Sequence, residues 1–124
     1  MFEKLVRRGI SGLIKKKKLN VLGKCDECAT LVKNSLIKEG IKGRHIRVET
    51  GGTKGVMGNI YDDEYGDLIA FAGYHEGIVV NIDGKDIVFD NIYTDGKDYQ
   101  KWLDDLSTPA TVDNKVFIVK YTAF

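Results

Sequence analysis

Four residues in this chain are of the types that do covalent chemistry together: Cys25 and Cys28, either of which could supply a thiol, the imidazole of His75, and the carboxylate of Asp90. A thiol becomes nucleophilic as its thiolate, which a helix N-terminus or a cationic neighbour favours. An imidazole beside it can take and return a proton, and an acid behind the ring fixes its tautomer. Such a trio attacks carbonyl carbon: the thiol adds, and the imidazole acts first as base and then as acid.

Local spacing ties two members together. Glu76–Ile82 and Lys85–Asp90 are alternating runs around Asp83-Gly84, a type I′ hairpin signal. A two-residue turn sets residue 82 opposite 85 and carries position 75 opposite 92. His75 and Asp90 then become diagonal neighbours on one sheet face, with Val79 and Val88. Ile78, Val80, Ile82, Ile87 and Phe89 take the other face. Both faces are partly apolar, so both should be covered, one of them by the cysteine helix.

That helix is expected from Cys25 to Glu39, ended by Gly40 at the usual glycine stop. Ala29, Val32 and Leu36, with Leu31 and Ile37 one step off, form its apolar stripe. Cys25 opens the helix, where the dipole and free N–H groups favour a thiolate and can bind an oxyanion. Cys28 points toward the stripe, so Cys25 is the better nucleophile. Asp26 and Glu27 in the first turn work against either thiolate. The C-x-x-C spacing lacks the βαβ surroundings of a thioredoxin-like redox pair. Zinc would need two further ligands, and only His45 and His75 are strong candidates; His45, at a strand position between Arg44 and Ile46, reads as structural. No metal or cofactor is expected.

The other elements must hold this group in place. Residues 2–14 have helical periodicity, with Lys15 to Lys18 in the last turn. A strand is expected within 41–50, with Ile46, Val48 and Thr50 inward. Residues 50–59 are a glycine-rich mobile loop without the order of a phosphate-binding loop. Asp62, Asp63, Glu64 and Asp67 lack the EF-hand pattern and read as a solvated acidic loop. A short strand at 68–72, a short helix within 96–106 and a final strand at 116–121 complete an α+β chain.

The length of 124 residues fits one domain, 1–124, and 30% charged against 43% apolar residues is a soluble globular composition. No apolar run approaches the ~20 residues of a membrane span, and no secretory signal is read at the start. Residues 1–20 hold seven Lys/Arg against one acid, a basic helix or the end of a linker. The rest holds twelve basic and seventeen acidic residues. A dedicated nucleic-acid binder usually has a more uniformly basic domain.

Several motifs together resemble a known family. Lys24-Cys-Asp-Glu-Cys-Ala29, running on to Gly40-Ile41, is similar to the cysteine helix of transglutaminase-like and papain-like enzymes. Cys25, Ala29, Gly40 and Ile41 match that spacing, which supports Cys25 over Cys28. Gly73-Tyr-His75-Glu-Gly-Ile resembles the histidine strand and Phe89-Asp90-Asn91 the aspartate strand. Residues 24–106, with Trp102 as the later tryptophan, look most like the papain-fold toxin domains of bacterial polymorphic toxins, including those of contact-dependent inhibition. The resemblance implies N-terminal helices on a mostly antiparallel sheet. It also implies a Cys25-His75-Asp90 triad, delivery within a larger secreted toxin to the cytoplasm of a target bacterium, and a cognate immunity protein.

The reading is a cysteine-dependent acyl-transfer enzyme on a protein target: a peptidase, a glutamine deamidase or a transglutaminase. Asn91 is a candidate for shaping the site. Asn20 is the nearest upstream amide where papain-type enzymes use a glutamine for the oxyanion. The alternative is a ribonuclease toxin using His75 and the basic stretch Arg7 to Lys18. Nucleic acid is therefore the less favoured partner, and stable membrane insertion is not expected.

Overall fold

The structure, a computed structural model, describes residues 2–51, 55–109 and 117–124. Two helices come first, α1 (Phe2–Lys16) and α2 (Cys25–Lys38), then β1 (Arg44–Glu49). A 3-10 turn at Gly55–Gly58 precedes β2 (Ile60–Asp62) and β3 (Asp67–Ala70). The hairpin is β4 (Tyr74–Ile82) and β5 (Lys85–Phe89), followed by β6 (Lys97–Asp98), α3 (Tyr99–Asp104), β7 (Leu106–Ser107) and β8 (Ile118–Ala123). No helix among the described residues is long and apolar enough to cross a membrane.

The hairpin has the expected register. Ile82 pairs with Lys85, Val80 with Ile87 and Ile78 with Phe89. Asp83 and Gly84 have φ of +53° and +85°, as a type I′ turn requires at both central positions. This hairpin sits inside a five-stranded antiparallel sheet of order β6-β5-β4-β1-β8. A smaller antiparallel sheet has the order β3-β2-β7.

Strand alternation divides the core in two. Ile78, Val80, Ile82, Ile87 and Phe89 meet Ile10 and Ile14 of α1 and Cys28, Ala29, Val32 and Leu36 of α2. Val79 and Val88 point the other way, with Ile46 and Val48 of β1, and are covered by Trp102 of α3 and by Ile60, Ile69 and Leu106. The fold is thus α+β, with N-terminal helices packed on one face of an antiparallel sheet. Each buried aliphatic side chain contributes about 1.5–3 kcal/mol through loss of apolar surface.

Several local expectations shift. Leu31 is half-buried and Ile37 is exposed, because the α2 stripe is narrow and both lie beside it. α1 stops at Lys16, and Lys18 takes a positive φ of +56°, so Lys17 and Lys18 lie past the helix. The apolar strand ends at Ala70 rather than 72. Part of the 50–59 loop forms the 3-10 turn, and residues 52–54 lie outside the described residues. The last strand runs Ile118–Ala123, with residue 116 of the expected span outside the described residues.

The acidic cluster is the larger correction. Asp62 is 1% exposed. It accepts hydrogen bonds from the Tyr65 backbone N–H and the Tyr93 hydroxyl, and pairs with the buried Lys97 ammonium at 3.4 Å. A buried carboxylate persists only when so satisfied. Among the described residues, no group of three or more acidic, histidine or cysteine side chains is arranged to hold a metal.

Gly77 shows how tightly the second core is packed. A Cβ there would lie 2.7 Å from Val88 Cγ1 and 3.5 Å from the Trp102 ring. Gly77→Ala should destabilise the chain by about 1–3 kcal/mol, read as a lowered urea midpoint with unchanged slope.

Candidate active site

His75 lies in β4 on the face shared with Val79, paired across the sheet with Val48. The chain leaves β5 at Phe89 and turns at once, so position 92 does not pair with 75 as the extended register implies. The turn places Asp90 beside the imidazole all the same. His75 Nε2 and Asp90 Oδ2 are 2.8 Å apart, and both side chains are fully buried.

Asp90 is held by more than the histidine. Trp102 Nε1–H donates to the same Oδ2 at 2.8 Å. The backbone N–H groups of Ile92 and Tyr93 donate to Oδ1 at 2.9 and 2.6 Å. Trp102 also stacks on the imidazole, with ring centroids 5.6 Å apart and planes 26° apart. Burial alone would raise the Asp90 carboxyl. The His75 bond and charge, then the Trp102 and Tyr93 donors, outweigh it and hold the pKa below the usual carboxylate value.

α2 covers the opposite sheet face, yet its first residue reaches His75. The helix begins at the end of the sheet where β4 starts and β5 finishes. Tyr74 of β4 donates from its hydroxyl to Asp26 at 3.5 Å. Asn91, just past β5, donates to the Val21 carbonyl at 2.8 Å and ties down the loop before α2. Cys25 is thereby buried, 7% exposed, beside the imidazole. His75 Nδ1, the nitrogen not bound to Asp90, is buried without a fully formed hydrogen bond. Burial opposes charge on the His75 ring. The bond to Asp90, then the interactions with Cys25, overcome it and lift the pKa to about 9. A cationic imidazole is the neighbour that stabilises a thiolate.

No side chain caps α2: Lys24 sits at the cap position without a capping bond. The first-turn N–H groups beside Cys25 are therefore not occupied by a capping side chain, as stabilising a developing oxyanion requires. Cys28 is a different kind of residue. It is fully buried among the α2 and β4 apolar side chains. Burial, then the charges of Asp90 and Cys25, push its thiol up to about 12.

The remaining sequence candidates separate cleanly. Asn91 is 1% exposed and its Oδ1 has no hydrogen-bond partner. Asn20 is exposed, with no side-chain hydrogen bond among the described residues. His45 bonds Glu76 at 2.7 Å on the helix-covered face, away from the face His75 occupies. In the sequence, Trp102 stands out only through the family resemblance. Its hydrogen bond to Asp90 had no local signal, because the two meet only through the packing of α3 on β5.

A narrow slot of about 70 Å³ opens beside the thiol. Gly23, Ile69, Ala70, Phe71, Ala72 and Tyr74 line it with Cys25. Among the described residues, the side chains that line it beside Cys25 carry no charge.

Residues 6–107 match the family described as papain fold toxin 2, and the chain belongs to that family of toxin domains. No curated protein and no solved structure is matched by the chain.

Two measurements follow. A folded pKa of about 9 against 6.5 means that the stability His75 contributes is complete below about pH 6.5 and is lost as pH rises through about 9. An NMR titration of His75 should show that midpoint, and in Asp90→Asn it should fall by about 1–3 pH units. Iodoacetamide at neutral pH should label Cys25 and spare Cys28, as seen by peptide mass spectrometry.

Proposed function

We propose that the chain is a toxin domain acting as a cysteine-dependent acyl-transfer enzyme on a protein target. What supports this reading is the 2.8 Å pair of Asp90 with the buried His75, and the place of Cys25 beside that ring at the start of a helix. Cys25 is the nucleophile, His75 the general base and then acid, and Asp90 the residue that orients and charges the ring.

The steps balance. The Cys25 thiolate adds to an amide carbon, and the first-turn N–H groups of α2 hold the oxyanion. Protonated His75 gives its proton to the leaving nitrogen as the C–N bond breaks, leaving a thioester and a neutral ring. Water then loses a proton to His75 and attacks the thioester, releasing a carboxylic acid and the thiolate. A lysine amine in place of water would give a cross-link instead.

The slot favours a side-chain carboxamide over a polypeptide lying across the site. It is narrow and uncharged, and Cys25 is nearly covered, so a slim terminal amide can reach the sulfur end-on. This supports glutamine deamidation or transamidation over backbone cleavage. The ribonuclease reading draws no support from His75, whose ring is wholly covered and committed to Asp90.

In this reading the domain travels as part of a larger secreted toxin, acts in the cytoplasm of a target bacterium and is blocked by a cognate immunity protein. The test is expression in sensitive cells, followed by mass spectrometry of cellular proteins and electrophoresis of total RNA. Cys25→Ser should reduce the reaction by about three orders of magnitude and abolish growth arrest, while Cys28→Ser retains both. Intact growth arrest by Cys25→Ser, or RNA cleavage by the purified chain, would overturn the proposal.

A further inference from the structure

A second surface lies on the exposed side of α1. Lys4, Arg7, Arg8 and Lys15 line an open groove of about 550 Å³, with Gly12 between them and Asp95 at its edge. Arg7 is partly committed: it pairs with Glu3 at 2.9 Å and donates to the Asp95 carbonyl at 3.5 Å. Its Nε is buried with no hydrogen-bond partner. Lys4, Arg8 and Lys15 are exposed, and no ion pair engages them among the described residues.

The groove touches the back of the loop that carries Asp90. Ser11 of α1 and Thr94 share a buried hydroxyl–hydroxyl hydrogen bond of 3.0 Å. A ligand in the groove would therefore rest against the segment that follows Asp90, without entering the cysteine slot.

We propose that this groove docks an acidic segment of a partner protein, whose carboxylates pair with Lys4, Arg8 and Lys15. Four observations favour protein over other polyanions. Among the described side chains, no aromatic ring lines the groove for bases to stack on. Beyond residue 20 the chain carries seventeen acids against twelve bases, which repels a long nucleic acid tracking past α1. Leu5, next to Lys4, is 65% exposed and offers an apolar anchor beside the cations. Ile10 and Ile14 of α1 are spent on the core, which leaves Leu5 as the exposed large apolar side chain of the helix among those described, too little for a lipid surface. The inference stands apart from the chemistry of Cys25, since no residue of the groove belongs to that site.

The test uses the full chain and fluorescence anisotropy with three probes: a labelled peptide of alternating Glu and Leu, a single-stranded RNA of equal charge, and phosphatidylserine vesicles. The peptide should bind saturably and more tightly than RNA or vesicles. The combined variant Lys4→Gln, Arg8→Gln, Lys15→Gln should weaken it by about tenfold or more, as loss of three exposed ion pairs allows. Gly12→Glu should do the same by placing a carboxylate where, beyond the neighbouring residues and the helix's own backbone, no described atom lies within 4 Å of a new Cβ. Unchanged Cys25 alkylation in both variants would show that the fold and the cysteine site are intact. Absence of peptide binding, equal binding by the variants, or tighter binding of RNA or vesicles would each sink the proposal.

Discussion

The carboxylate of Asp90 is the constraint around which this molecule is organised. It is fully buried, and a buried charge is tolerated only when paired and hydrogen-bonded. Four donors meet it: the His75 ring, the Trp102 indole and two backbone N–H groups of its own turn. They come from three elements. Satisfying one anion therefore fixes how β4, the exit from β5 and α3 sit against each other. The same bonds set the ring of His75 and keep it cationic well above neutral pH.

The neighbouring polar groups are organised in the same way. Asp62 is buried against Lys97 and the Tyr93 hydroxyl, and Tyr93 also supplies a backbone donor to Asp90. Lys97 makes a second, closer pair with Asp105 at 2.6 Å. One network thus joins the small sheet, the Asp90 turn and α3. Removing one partner from such a network leaves an unsatisfied buried charge, which costs more than the pair itself contributes.

The two cysteines show how position within one helix separates two thiols. Three residues apart, they differ in surroundings rather than in chemistry. Cys25 stands at the helix start beside an imidazolium and a slot. Cys28 stands one turn further in, packed against Ala29, Val32 and the β4 aliphatics. The slot beside Cys25 is small and admits slim groups only.

What the sequence by itself determined is what short-range geometry controls. The Asp83-Gly84 turn sets the hairpin register, and a period of two then puts His75 on the face of Val79 and Val88, while the turn after Phe89 brings Asp90 to it. The helical period and Gly40 mark α2 and separate Cys28 from Cys25. The resemblance of motifs along residues 24–106 named the fold. Only the tertiary structure decided the rest. It carried the start of α2 around the sheet end to meet His75 from the opposite face. It made Trp102 a donor to Asp90 and drew Asp62 inside, against the solvated loop its acidic neighbours implied. Those outcomes depend on many distant contacts, each small, acting together; no local pattern of residue types encodes them.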